Sequence, residues 1–163
     1  MRLSAVLLLT VLVGLASGGR RRCTRMGQEL YHYARLPTIS DSVLVRSRHL
    51  VRRLDRRCRK VEIMITKDGH EVKLESLPRL YERICRKAIS GKGVRFFMRY
   101  RLDKLDSPDE AFAYATERLF AAKPEQVLDY IDDQPDSIKT VLLDDIVWGF
   151  LNNRIYGAKN PYH

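Results

Sequence analysis

The sequence predicts an α+β fold in which a small antiparallel sheet packs against helices. Three observations lead to this prediction. An Asp-Gly dipeptide joins two alternating apolar runs within 61–75, a further alternating run covers 94–101, and apolar residues elsewhere recur at helical spacing. The sheet would consist of a hairpin and a third strand. A basic N-terminal helix would precede it, and an acidic C-terminal helical layer would pack against it.

Residues 1–18 are typical of a secretory signal peptide. Arg2 precedes an uncharged, mostly apolar run over 3–16, and small residues follow at the expected cleavage position. The run is shorter than the roughly 20 apolar residues of a membrane-spanning helix. Cleavage of the segment by signal peptidase is therefore favoured over a permanent membrane anchor. Arginines at 20–22 and 25 resist translocation, so a membrane-anchored protein facing the cytosol is the alternative. The predicted location is otherwise the secretory-pathway lumen or the cell exterior.

Charge divides the rest of the chain into a basic and an acidic part. Residues 1–101 contain 24 basic and 8 acidic residues, whereas 102–163 contain 6 and 12, and the whole chain carries a net charge of +10. The predicted organisation is a basic and aromatic tether over 19–40 and a single α+β domain over 41–157. That domain has a basic part at 41–101 and an acidic helical part at 102–157, and a short tail covers 158–163.

A helix is predicted from Ser40 or Asp41 to about Lys60. Val43, Leu50 and Leu54 fall on one face at helical spacing, and basic residues cover most of the remaining surface. A cationic helical face can dock on an anionic surface, although it can also be plain solvated surface. The candidate binding residues on this segment are Arg46, Arg48, Arg52, Arg53, Arg56, Arg57, Arg59 and Lys60.

The hairpin and the third strand follow. A two-residue loop at Asp68-Gly69 would place Ile65 opposite Val72, Lys67 opposite His70 and Ile63 opposite Leu74. After a helix over 77–88, the run 94–101 alternates with a period of two residues. We expect Arg95, Arg99 and Arg101 to line one exposed face of this third strand and to extend the binding surface.

Three helices are predicted after the charge boundary at 101–103. The first begins near Ser107-Pro108 and ends at Ala122, the second covers 124–133, and a strongly apolar third ends near Asn153. A capping residue followed by proline marks the first of these helices, and Pro124 begins the second.

The three cysteines predict one disulfide. Cys58 and Cys85 share helical faces with apolar residues and therefore point to the same core, so we expect them to form the bridge. Cys23 would then be free or join two chains in a homodimer. Two buried, reduced cysteines are the alternative.

These features favour a non-catalytic binding protein with an anionic partner, which could be a polyanionic glycan, an anionic membrane or an acidic protein. Nucleic acid is the least favoured polyanion. A precursor cut at dibasic pairs such as Arg52-Arg53 is the alternative, as is a membrane-anchored, cytosol-facing adaptor. The four histidines lack metal-ligand spacing and no motif for a nucleophile occurs, so we expect no metal site and no cofactor, and an enzyme is not favoured.

Overall fold

The structure, a computed structural model, describes residues 22–58, 65–67, 70–72, 76–105 and 110–156. This part of the chain forms seven helices and one short hairpin. The elements are α1 (22–35), α2 (Asp41–Arg57), β1 (Ile65–Lys67), β2 (His70–Val72), α3 (Leu77–Arg86), α4 (Lys92–Leu102), α5 (Glu110–Ala122), α6 (Pro124–Asp132) and α7 (Asp136–Tyr156). The fold is therefore all-helical, and the predicted α+β class is wrong.

The predicted third strand is the helix α4. Its buried residues include Val94, Phe97, Met98 and Arg101, which recur at intervals of three and four residues, while Arg95 is exposed. That spacing matches one face of a helix. The sequence also alternates with a period of two, but the buried residues follow the helical spacing, and the charged Arg101 occupies one of the buried positions.

Within the described residues, the two strands form a two-stranded antiparallel sheet with each other. Ile65 lies opposite Val72 and Lys67 opposite His70, in the register that the Asp-Gly pattern predicts. The predicted Ile63–Leu74 pair lies outside the described residues. A hairpin of two three-residue strands does not form the layer against which helices pack in an α+β fold.

Residues 22–35, which the sequence analysis places in a tether, form the helix α1. Cys23, Met26, Leu30 and Ala34 are buried at intervals of three and four residues, and all four belong to the hydrophobic core. Such spacing gives one continuous apolar face. This segment is therefore part of the folded unit and does not serve as a linker.

A disulfide joins Cys23 to Cys58, with Cα atoms 6.0 Å apart. The predicted Cys58–Cys85 bridge is wrong, because the helix α1 brings Cys23 next to the end of α2. Cys85 is reduced and completely buried in α3, so it acts as a small apolar core residue. The bridge closes a loop of 35 residues and fixes the start of α1 to the end of α2.

Close helix packing positions the acidic part of the chain. A Cβ atom on Gly149 of α7 would lie 2.6 Å from the Cβ atom of Glu117 and 2.9 Å from the carbonyl oxygen of Ala113, both on α5. Gly93 allows an equally close approach of α4 to α3, because a Cβ atom added at this position would clash with the carbonyl oxygen of Cys85. Among the acidic helices, α5 packs on α3 and α4 and α6 packs on α4, whereas α7 packs on α5 and α6.

Hydrogen bonds also join the turn between α1 and α2 to the residues that follow α3. Ile39 donates its backbone hydrogen bond to the carbonyl of Lys87 at 3.0 Å, and Ile89 donates to the carbonyl of Ile39 at 3.1 Å. The ammonium group of Lys87 donates to the carbonyls of Ala34 and Leu36, each at 3.0 Å. These bonds satisfy carbonyl groups at the end of α1 and hold the α1–α2 turn against the end of α3.

Candidate functional site

The helices α2 and α4 pack side by side and form a cleft lined by arginines. Arg48 and Arg52 come from α2, one helical turn apart, and Arg99 comes from α4. Phe96 and Tyr100 of α4 give the cleft an aromatic wall. We call this site the arginine cleft, and its lining residues are Arg48, Val51, Arg52, Tyr81, Phe96, Arg99, Tyr100 and Asp103.

The cleft continues along α2 into a wider hollow. Arg52, Tyr100 and Asp103 line both parts, and the hollow adds Asp55, Arg56 and Lys104. Five cationic side chains and two carboxylates therefore surround the combined surface. The excess of positive charge attracts anions.

Two contacts determine how readily the guanidinium groups of Arg48 and Arg52 can bind an external anion. The guanidinium carbon of Arg48 lies 4.7 Å from the centre of the Phe96 ring, a cation–π contact that orients the side chain. Arg52 approaches Asp103 with Nη2 3.8 Å from Oδ2, and both side chains are about half exposed. An exposed pair at that distance contributes only about 0–1 kcal/mol, so a stronger anion can displace the carboxylate.

The ammonium group of Lys104 lies 2.5 Å from Oδ2 of Asp55. Both side chains are about four-fifths buried, so this ion pair is screened less than the pair of Arg52 and Asp103. It joins α2 to the turn after α4 and fixes the far end of the hollow. Lys104 therefore has a structural role, whereas the neighbouring Arg56 is exposed and can bind a ligand.

The remaining predicted arginines of α2 lie on a different side of the helix. Arg46 forms an ion pair with Glu29 of α1, with Nε 2.6 Å from Oε1. Arg53 and Arg57 are exposed and share the side of Arg46 by helical spacing. The structure thus separates the predicted cationic face into one side toward α4 and another toward α1. Arg59 and Lys60 lie outside the described residues.

The contact with Arg46 also affects the carboxyl group of Glu29. Burial acts to raise its pKa, but hydrogen bonds from Tyr33 and Arg46 outweigh burial and hold the pKa below its ordinary value. Tyr33 donates its hydroxyl to Oε1 at 2.7 Å. Arg46 is therefore engaged within the fold and is a weaker candidate for binding a partner.

Of the three arginines predicted on α4, two are exposed and one is structural. Arg95 and Arg99 lie on the surface beside Tyr130 of α6, with which both interact electrostatically. Arg101 is 5% exposed and forms two bonds to Asp145 of α7, from Nε at 2.6 Å and from Nη2 at 3.2 Å. The prediction that Arg101 lines an exposed face is wrong.

Arg101 also donates to the carbonyl of Lys104 at 2.8 Å and lies 5.2 Å from the centre of the Phe112 ring. Every side of its guanidinium group is thus in contact with the protein. The group compensates a largely buried carboxylate and joins the basic part of the chain to the acidic part.

The sequence analysis did not predict a second group of arginines, which lies where α3 packs against α5. Arg79 and Arg86 of α3 and Arg118 of α5 interact electrostatically with the completely buried Glu82, and Arg83 interacts with Arg86 and Arg118. The signal in the sequence was arginine at i, i+4 and i+7 beside one acidic residue. The position of Arg118 could not be anticipated, because α5 joins the group only through the fold.

The described part of the chain offers no grouping of side chains typical of a metal site. His32 and His49 are exposed on α1 and α2, and burial raises the pKa of the Cys85 thiol. Within these residues no group of three or more His, Cys, Asp or Glu side chains could hold a metal ion. Nor is any helix in the described ranges both long and apolar enough to cross a membrane.

Comparison with known proteins assigns no family to the chain. No protein-family model, no curated protein and no solved structure matches it. The arginine cleft and the arginines around Glu82 therefore have to be interpreted from their own chemistry.

Proposed function

We propose that this chain is a non-catalytic binding protein that docks an extended polyanion, such as a sulfated glycan, in the arginine cleft. The observation that carries the proposal is the position of Arg48 and Arg52 beside Arg99. These residues lie about 50 positions apart in the sequence, and the packing of α2 against α4 brings them to one cleft. Two separate basic segments thereby form one surface.

The shape and length of the surface favour a chain-like ligand over a flat membrane. Arg48, Arg52 and Arg56 follow one another at intervals of four residues, so they extend over about 12 Å of the helix. The cleft itself is narrow, with about 10 Å³ of free volume, and it opens into the hollow of about 620 Å³. Its aromatic groups, Phe96 and Tyr100, are half-buried or buried. A membrane-binding surface would instead present exposed apolar side chains to the lipid.

The energetics also favour replacement of Asp103, the internal partner of Arg52, by an external anion. Guanidinium groups form short, bidentate bonds to sulfate and phosphate groups, which are roughly twice as strong as bonds between neutral groups. The pair of Arg52 and Asp103 is long at 3.8 Å and exposed, so little is lost when it opens. The contact of Arg48 with Phe96 restrains one cation in advance, which lowers the entropy lost on binding.

We place this activity in the secretory pathway or outside the cell. The signal-like segment at 1–18 supports that location, although it lies outside the described residues. The disulfide of Cys23 and Cys58 is compatible with an oxidising compartment. The alternative of a precursor cut at dibasic pairs is not favoured, because Arg52-Arg53 and Arg56-Arg57 lie within α2, where an ordered backbone resists cleavage.

Retention on a heparin column tests the proposal. The variant pair Arg52→Gln and Arg99→Gln removes two cations from the cleft, and the matched pair Arg53→Gln and Arg57→Gln removes two exposed cations from the other side of α2. We expect the cleft pair to elute at clearly lower salt than the matched pair, because only the first pair loses ligand contacts.

Equal elution of the two variants would contradict the proposal, since it would mean that retention reflects net charge alone. Co-sedimentation with phosphatidylserine vesicles identifies the membrane alternative. If the cleft pair abolished vesicle binding while heparin retention stayed at the wild-type level, the polyanion proposal would be wrong.

A further inference from the structure

The helix α7 carries apolar side chains on its outer side as well as on the side that packs against α5. Leu142, Ile146 and Gly149 are buried at intervals of four and three residues and form the inner side. The outer side has a second series of large apolar residues, which are exposed and also follow helical spacing: Leu143, Val147, Phe150 and Leu151. We call these four residues the outer apolar face.

The side chains of the outer apolar face point in similar directions. With 3.6 residues per turn, they fall within an arc of roughly 100° and extend over about 12 Å of the helix. Val147 and Leu151 are 55% and 54% exposed, so about half of each side chain contacts water. A surface helix ordinarily has a polar outer side, and a helix that is apolar on both sides is typical of a buried position. The outer apolar face therefore indicates an interaction site.

The neighbouring surface helices have polar outer sides. On α2 the outer side carries arginines, among them Arg53 and Arg57, and on α6 it carries carboxylates, among them Asp129 and Asp132. Val45 is an exposed apolar residue of α2, but it stands alone among the large apolar side chains of that helix. Single exposed apolar residues are normal on a protein surface, whereas a series along one helical face is not.

Contacts with α5 orient the aromatic rings of this part of α7. The ring of Phe150 meets that of Phe120 edge-on, with the centroids 6.2 Å apart. The ring of Trp148 meets that of Tyr114 edge-on at 5.3 Å. Trp148 is partly exposed and lies three residues from Leu151, so it borders the outer apolar face. A partner would meet rings that are already oriented, which reduces the entropy lost on binding.

The border of the outer apolar face is acidic. Asp136 lies two turns before Leu143 and in line with the face, and Asp144 lies directly beside Leu143. Both carboxylates are exposed, and the contact of Asp136 with Lys139 is long, with 4.0 Å between Oδ1 and Nζ. Residues 124–152 contain seven acidic residues and one basic residue. This surface therefore attracts cations.

We propose that the outer apolar face of α7 docks an amphipathic helix of a partner protein, which has aliphatic side chains along one side and Lys or Arg at its edges. Two helices pack through side chains at intervals of three and four residues, which is the spacing of the outer apolar face. Cations at the edges of the partner helix pair with Asp136 and Asp144. Charge complementarity thereby selects the partner.

The acidic border disfavours two other occupants. A symmetric dimer would set the outer apolar face against the same face of a second copy, so Asp136 and Asp144 of one copy would approach those of the other. Like charges brought together in this way oppose association. Helices that lie on a membrane surface carry Lys and Arg beside their apolar side, whereas α7 carries carboxylates there.

The outer apolar face is separate from the arginine cleft. Residues of α2, α3, α4 and the turn after α4 line the cleft and the hollow in the described part of the chain, and α7 lines neither. Variants of the outer apolar face should therefore leave heparin retention unchanged. Failure of either proposal can be recognised independently of the other.

The fluorescence of Trp148 reports docking directly, because it is the only tryptophan of the chain. The probe is a peptide of leucine and lysine in an amphipathic pattern, about 14 residues or four helical turns long. We expect the peptide to move the emission of Trp148 in the full chain to shorter wavelength and to protect it from quenching by acrylamide. A leucine–glutamate peptide of the same pattern should have neither effect.

Variants show whether the peptide binds at the outer apolar face. The pair Val147→Ser and Leu151→Ser should bind the leucine–lysine peptide at least about tenfold more weakly, because two apolar contacts are lost. The matched pair Val45→Ser and Ile89→Ser removes two exposed apolar side chains elsewhere and should bind as the wild type does. If the first pair does not fold, Leu143→Lys places a cation in the face, and weaker binding of the peptide is still expected.

The acidic border is tested by removing its charge. Asp136→Asn and Asp144→Asn together should weaken binding of the leucine–lysine peptide by about threefold to tenfold at low salt, because exposed ion pairs contribute modestly. High salt should reduce the difference between these variants and the wild type. Unchanged affinity of this pair at low salt would contradict the proposed selection by charge.

Several other results would overturn the proposal. One is no response of Trp148 to the leucine–lysine peptide, or an equal response to the leucine–glutamate peptide. Another is an equal loss of affinity in the two serine pairs. If acrylamide failed to quench Trp148 in the free monomer, another segment of the chain would already cover the face.

The two disfavoured occupants have their own signatures. Self-association in sedimentation velocity that is lost in the pair Val147→Ser and Leu151→Ser would assign the face to a second copy of the chain. The same shift of Trp148 emission with phosphatidylcholine vesicles would assign it to a membrane. Either result would refute docking of a cationic helix.

Discussion

Replacing Glu82 by glutamine should make the protein more stable at high pH. Glutamine has nearly the same shape as glutamate, so the variant removes the titrating group without leaving a cavity. It also removes the ionised form of a side chain that is 0% exposed. The comparison therefore isolates the free energy of burying one carboxylate beside Arg79, Arg86 and Arg118.

The sign and the size follow from the pKa of the carboxyl group. Burial raises the pKa of Glu82 from its ordinary 4.5 to about 7, so the folded state keeps a proton that the unfolded chain releases. Its contribution to stability is complete below pH 4.5 and is lost as the pH rises to 7. The difference corresponds to about 3 kcal/mol, of which about 2–3 kcal/mol falls between pH 5 and pH 8.

Urea unfolding at pH 5 and at pH 8 measures the effect, in buffers free of sulfate and phosphate. The free energy of unfolding of the variant minus that of the wild type should rise by about 2–3 kcal/mol between the two pH values. Glu125→Gln is the matched control, because Glu125 is exposed on α6 and should change the difference by less than about 0.5 kcal/mol. If the difference for Glu82→Gln stayed constant or fell with pH, the arginines would outweigh burial and the reasoning would be refuted.

Three further variants test the packing of the fold by chemical denaturation. Replacing Cys23 by serine opens a loop of 35 residues and should lower the free energy of unfolding by about 4 kcal/mol, and a loss below 1 kcal/mol would count against the bridge. Gly149→Ala should destabilise by about 1–3 kcal/mol because its Cβ atom would meet α5 at 2.6 Å, whereas Gly91→Ala meets nothing nearer than 3.7 Å and should be nearly neutral. Arg101→Met leaves a buried carboxylate unpaired and should cost about 3–5 kcal/mol, while the exposed Arg95→Met should stay within about 0.5 kcal/mol of the wild type.

Helices with clear start signals and a single apolar face were predictable from the sequence. The helix predicted from Asp41 is confirmed as α2 and ends at Arg57, and the helix predicted over 77–88 is confirmed as α3. Pro124 marks the beginning of α6 because proline is tolerated in the first turn. In these segments the apolar spacing agrees with only one type of element.

The segment 94–101 shows why the fold class could not be predicted. Arg101 occupies a core position of α4, where a charged residue hides the helical pattern, and its partner Asp145 lies 44 positions later. Phe96 is only half-buried, and the guanidinium group of Arg48 lies over its ring. Once those two residues are misassigned, alternation describes the segment as well as helical spacing does.

The Cys23–Cys58 disulfide could not be predicted, because the helical pattern of α1 was also hidden. Cys23, Met26, Leu30 and Ala34 already have helical spacing in the sequence, but the arginines and aromatic residues around them obscured it. With α1 treated as a tether, Cys23 had no fixed position, and Cys85 was the remaining partner. The binding residues were affected in the same way, because only the packed helices show that Arg52 faces α4 whereas Arg53 does not.

The salt dependence of heparin binding tests the arginine cleft most directly. The measurement is the slope of log Kd against log salt concentration for the wild type, for the pair Arg52→Gln and Arg99→Gln, and for the pair Arg53→Gln and Arg57→Gln. Each lost contact with a polyanion lowers the magnitude of this slope by roughly 0.7–0.9, so the cleft pair should lower it by about 1.5. The matched pair should leave the slope of the wild type unchanged. A slope that falls equally in both pairs, or in neither, would contradict binding in the cleft.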